Sequence, residues 1–138
     1  MTSWLKYLFL AIYILVDVIY ITFTKPVYNA RVKAIQGKEM VLKQFSYLSA
    51  ILSYIILGAG WLVIVANHLT PQSSYMDIIY TAVLYGLVVY GVFNTTLYVM
   101  FEGWDVRISI RDTLWGVGWI TLISTIYLYT LKTKENKE

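Results

Sequence analysis

Six residues of this chain are of types that could do chemistry, and each falls inside or at the head of a long apolar run: Asp17, Asn94, Thr96, Arg111, Asp112 and Trp115. A carboxyl can take or give a proton. A guanidinium offers five donors, keeps its charge and suits an anionic group. An indole can pack the apolar part of a ligand while its N–H donates. A charged Asp at the centre of a membrane helix costs about 2.5–3.5 kcal/mol on insertion scales, and such residues face the bundle interior and find partners. The expected pairing is therefore Asp17 with Arg111. Asp112 is expected to accept orphan backbone N–H groups at a helix start, where the dipole favours it. Asn94 and Thr96 are expected to bridge between helices. Trp115 and Trp119, four apart, share a helix face and wall the polar cluster. Glu102, Trp104 and Arg107 are secondary candidates beside it. The plainer account is that such groups are interhelical glue, each contributing about 0.6 kcal/mol.

These residues need helices to position them. Of the 138 residues, 59% are hydrophobic and 14% charged, against about 25% charged in a soluble domain. Much of the surface is thus expected to face lipid. Thirteen tyrosines suit membrane interfaces, where one end of the ring is wet. Four segments reach the roughly 20 apolar residues that a bilayer core requires: about 4–23, 45–66, 78–101 and 109–131. Backbone polar groups in lipid must be satisfied within a segment, so these are helices. The expected fold is all-α, an integral-membrane four-helix bundle forming a single domain, with short loops and a charged, frayed tail at 132–138. The first segment is expected to be retained, because Asp17 interrupts it and no small-residue cleavage site follows.

The first connection, residues 24–44, holds Lys25, Arg31, Lys33, Lys38 and Lys43 against one acid, Glu39. Pro26 is expected to stop the first helix. Val27, Ala30, Ala34 and Ile35 recur at helical spacing, which suggests a short amphipathic helix in the headgroups up to Gly37. The first and third connections with Arg111 carry seven of the eleven basic residues. Basic residues favour the cytoplasmic side, so both termini are expected on the other side. In an antiparallel bundle, Asp17 and Asn94 each lie about 9–10 Å inside the face fronted by the basic loop, and Arg111 and Asp112 enter from that same face.

Other chemistry has little footing. There is no cysteine, hence no thiolate nucleophile or disulfide. His68 stands alone, and no Ser–His–Asp set, phosphate loop or zinc spacing occurs, so no metal and no cofactor are expected. The net charge of +3 reflects loop bias and not a nucleic-acid footprint. The expected partners are membrane lipids, and a homodimer would widen the narrow interior of four short helices. The glycines of "LGAGW" (57–61) and "YGLVVYG" (85–91) read as close-packing sites.

The stretch "FNTTLYVMFEGWDVRISIRDTLWG", residues 93–116, resembles the signature region of the DUF2177 family of small predicted membrane proteins. That family shows a tyrosine–aspartate–x–threonine run, then K-D-W-P, then D-x-x-W-G. Phe93, Asn94 and Thr96 stand in the first run, Glu102, Gly103, Trp104 and Asp105 in the second, and Asp112, Trp115 and Gly116 in the third. Asp17, in "LVDVIY", matches the family's first-segment aspartate. Asn94 replaces the usual aspartate, Gly103 another, and Asp105 the proline. If the family uses the third-segment carboxylate for proton chemistry, Asn94 cannot supply it.

Three functions are compatible with these features. The cluster could bind or move a polar lipid or small solute near the basic face. It could serve only to lock the helices of an assembly protein. Or Asp17 or Asp112 could act as general acid or base in a lipid-modifying enzyme.

Overall fold

A computed structural model describes residues 4–41 and 43–136. They form four helices long and apolar enough to cross a membrane: α1 (Leu5–Gln36), α2 (Gln44–His68), α3 (Tyr75–Met100) and α4 (Val106–Glu135). Among the described residues there is no strand. Large apolar side chains point outward along every helix, Phe45 at 80% exposure and Val99 at 84% among them. In water this would be a liability; in hydrocarbon it is the favoured arrangement. The expected all-α membrane bundle is the observed architecture.

The helix ends differ from expectation in informative ways. Pro26 lies inside α1, which runs on to Gln36 and a left-handed Gly37, so the expected stop and separate interfacial helix do not occur. The proline removes the amide that would bond the Thr22 carbonyl. The turn before it is braced by hydroxyls: Thr22 Oγ1 donates to the Val18 carbonyl at 2.8 Å and Thr24 Oγ1 to that of Tyr20 at 3.0 Å. At about 1.5 Å per residue the 32 residues of α1 span roughly 48 Å, well beyond a hydrocarbon core of about 30 Å. The basic end of α1 therefore stands clear of the bilayer as an extension of the same rod. α4 begins at Val106, capped by Asp105, whose side chain accepts from the Arg107 amide at 2.9 Å. Asp112 is thus about two turns further in and is not the cap. α4 also continues to Glu135 where fraying was expected; Lys137 and Glu138 lie outside the described residues.

The bundle is tight at one end and open at the other. Near the termini, Tyr13, Trp61, Ile120 and Leu128 are fully buried, with Phe9, Ile78, Ala82 and Tyr127 around them. Trp61 Nε1 donates to Ser124 Oγ at 3.0 Å in the middle of this core. Lys6 donates to Asn67 at 3.0 Å and Gln72 to Glu135 at 2.6 Å, tying the end of α2 to the start of α1 and the α2–α3 connection to the end of α4. The small residues named above permit this packing. A Cβ on Gly60 would strike the Tyr85 hydroxyl, and one on Gly86 would come within 2.8 Å of Val117 Cα. Tyr85 donates to the Leu57 carbonyl at 2.8 Å. Toward the basic loop the helices separate: from Gln44 to Gly60 of α2 only Gly58 is buried. Two π-helical turns interrupt the regular helix, Trp61–Val65 in α2 and Leu87–Gly91 in α3. Such turns often accompany functional sites.

Candidate functional site

Asp17 is buried at 3% exposure, on the inner face of α1. Its partners are three aromatic donors, one from each other helix. Tyr54 Oη of α2 donates to Oδ2 at 3.1 Å, Tyr90 Oη of α3 to Oδ1 at 3.0 Å, and Trp115 Nε1 of α4 to Oδ1 at 3.4 Å. The expected ion pair with Arg111 is absent: no Asp17–Arg111 contact falls within 4.0 Å. Arg111 instead folds onto its neighbour Asp112 at 3.2 Å and is 41% exposed along its side chain. The reason lies in the helix. Arg111 lies five positions past Val106, near the start of α4, where its long side chain can snorkel to the polar boundary, whereas Asp17 sits among rings whose O–H and N–H groups already satisfy it.

Asp112 is also buried, at 7%. Its Oδ1 accepts from Tyr20 Oη at 2.6 Å as well as from Arg111 Nε and Nη2. Tyr20 in turn lies flat on Trp115, with ring centroids 4.2 Å apart and planes at 7°. Trp115 and Trp119 are 6.4 Å apart and nearly parallel, as their spacing predicts, and Trp119 Nε1 donates to the Tyr13 carbonyl at 3.1 Å. The two carboxyls are thus joined through a stacked pair, Tyr20 on Trp115.

Local sequence explains this placement. The D-x-x-W-G run puts Asp112, Trp115 and Gly116 on successive turns of α4 facing α1 and α3. Gly116 is required because the Tyr90 ring occupies the space where any Cβ would stand. Tyr90 itself belongs to the π-helical turn Leu87–Gly91, whose extra residue offsets the face presented before and after it. Tyr90, its hydroxyl 3.3 Å from that of Tyr13, and Asn94 both point inward as a result.

Asn94 is 1% exposed. Its Nδ2 donates to the Tyr90 carbonyl of its own helix at 2.9 Å, and its Oδ1 is buried with no partner. It does not bridge helices through its side chain; the crossing is made by Ser109 Oγ, which donates to the Asn94 carbonyl at 3.2 Å. Thr96 does not join the cluster. It is exposed and its hydroxyl donates back to the Val92 carbonyl at 2.7 Å. Of the secondary candidates, Trp104 is buried and donates to Ser109 at 3.1 Å, while Glu102 and Arg107 are exposed. Tyr20, Tyr54 and Tyr90 were missed because tyrosines are too common in this chain to single out by type.

A pocket of about 450 Å³ opens beside these groups. Asp17, Asn94 and Asp112 supply polar lining, Ile21, Ala50, Phe93 and Met40 apolar lining, and Lys25 and Tyr28 lie further along α1. Above it, the basic extension of α1 docks on the α3–α4 connection, with Tyr28 5.8 Å from Trp104 and Arg31 Nη2 donating to the Gly103 carbonyl. Gly103 turns the chain there at φ 78°, where a side chain would be strained.

No curated protein and no solved structure matches the chain. A family model described as a predicted membrane protein, DUF2177, matches residues 3–129, far beyond the 93–116 stretch that carries the motifs. With nearly the whole chain inside that match and four spanning helices to account for it, this is a multi-pass membrane protein that belongs to the DUF2177 family.

Proposed function

We propose that the protein binds, and through that binding sequesters or moves, a polar lipid or small solute in the pocket between α1, α2, α3 and the start of α4. The observation that carries the reading is the combination of about 450 Å³ of space with three buried polar residues, Asp17, Asn94 and Asp112, in walls whose exposed surface is mostly apolar. Ligand sites have this character: roughly 300–1,000 Å³, mostly apolar, with a few placed polar groups. The pocket lies in the half of the bundle fronted by the basic residues of the first connection. By the bias of Lys and Arg that half faces the cytoplasm, with both termini on the other side.

The test is retention of co-purifying molecules by native mass spectrometry of the detergent-solubilised protein. Wild type should carry bound lipid or solute that Asp17→Asn loses while keeping its helical circular dichroism. Equal retention by both would end this reading. A second reading has its own support: Asp17 draws one donor from each of the other three helices, as a purely structural lock would. Under it, Asp17→Asn lowers the unfolding temperature and there is no bound molecule to lose.

A further inference from the structure

Resting on the binding role just proposed, we infer that the ligand is a membrane lipid with a primary-ammonium headgroup of the ethanolamine type, its ammonium meeting Asn94 and Asp112 and its chains lying along the α1–α2 seam. The vacant polar atoms that Asn94 and Asp112 bring to the pocket are both acceptors. The Tyr90 carbonyl can only accept, so the amide nitrogen of Asn94 must face it and Oδ1 is the free end; that oxygen is buried and unpartnered in a residue 1% exposed. On Asp112, Tyr20 and Arg111 all donate to Oδ1, and no described residue donates to Oδ2. An ammonium carries three donors and no acceptor, which matches this vacancy. Arg111, which could have held an anionic headgroup, is turned onto Asp112 and is not part of the pocket lining. Lys25 lines the pocket about 12 Å along α1 from Asp17, where it can meet a phosphate without drawing it inside.

The walls argue for a lipid over a free amine. Beyond Tyr54 the same two helices enclose a second groove of about 470 Å³, lined by Leu10, Ile14, Ile51, Ile55 and Leu62. It offers an acyl chain an apolar path on the far side of the Tyr54–Asp17 bond.

Phosphatidylethanolamine and phosphatidylcholine of identical chains form the deciding pair, because both are zwitterions and only the first has N–H donors. In native mass spectrometry of the purified full chain, wild type should retain the ethanolamine lipid about tenfold better, the discrimination that one buried unpaired acceptor provides. Asn94→Leu should narrow this difference, with Asp112 left to make the remainder. Ala50→Phe, which fills the pocket from α2 and leaves its polar groups intact, should reduce both. Equal retention of the two lipids by wild type, lost for both in Asp17→Asn, would overturn the ammonium inference and leave the binding role standing. Retention of neither would overturn both. Displacement of bound lipid by free ethanolamine at millimolar concentration would show that a soluble amine is the ligand and refute the lipid assignment.

Discussion

Asp17 has two oxygens and three donors, so even an isosteric change leaves something unmatched. In Asp17→Asn the amide N–H₂ replaces one of the two acceptor oxygens, so at least one of Tyr54, Tyr90 and Trp115 loses the atom to which it donates. A buried group left unpaired costs about 1–3 kcal/mol, and Asp17→Asn should lower the unfolding temperature in detergent by several degrees. Tyr20→Phe should cost less, about 1 kcal/mol, because Arg111 still serves Asp112 and the ring can keep its stack on Trp115. A larger loss in Tyr20→Phe than in Asp17→Asn would contradict this account. Gly116 is the other sensitive position. Gly116→Ala forces the Tyr90 ring aside, an overpacking of about 1–3 kcal/mol that also removes a donor from Asp17. On a Tyr90→Ala background the penalty should nearly vanish, and a double-mutant cycle measured by thermal unfolding checks it; additive losses would mean that the Tyr90 contact is not what makes Gly116 necessary.

At the scale of helices, the π-helical turn in α3 is what lets Tyr85 and Tyr90 serve different neighbours, the Leu57 carbonyl and the Asp17 carboxyl. Val88 lies in that turn and is 64% exposed to the lipid side. Val88→Ala should therefore be nearly neutral in thermal unfolding, and a loss well above the roughly 0.5 kcal/mol typical of surface substitutions would refute its placement on the outer face. Hydropathy made the four helices legible in the sequence, and the depth argument grouped Asp17, Asn94 and Asp112, which line one pocket. What it could not supply was the choice of partner. Arg111 looked like the mate of Asp17 because opposite charges attract, but three ring donors, each unremarkable among thirteen tyrosines and five tryptophans, satisfy the carboxyl. Pro26 misled for a related reason: its cost is that of an unbonded carbonyl, and the threonine hydroxyls that brace the preceding turn are not visible as such in a hydropathy pattern. The π-helical turns have no sequence signature beyond their glycines.

For the molecule as a whole, the uneven packing divides a clamped end, where the termini and the second connection meet, from an open end under the basic loop. The absence of cysteine makes the orientation directly measurable. In intact cells a membrane-impermeant maleimide should label Gln72→Cys and spare Lys38→Cys, and the reverse pattern would invert the proposed topology. Lipid exchange at the open end, if binding is the role, requires only that α2 lean outward near Ser46 and Tyr47; the Trp61–Ser124 core need not be disturbed.

The dispersal of Asp17's partners over the other three helices also bears on how the protein is made. A ribosome delivers α1 first, so this carboxyl reaches the translocon when the rings that will satisfy it have not yet been synthesised, and the last of them, Trp115, arrives only with the final helix. Until then α1 carries an acid at a depth that lipid penalises. The first helix is thus the least secure in the nascent chain, and its acid gains the last of its donors only when α4 is made.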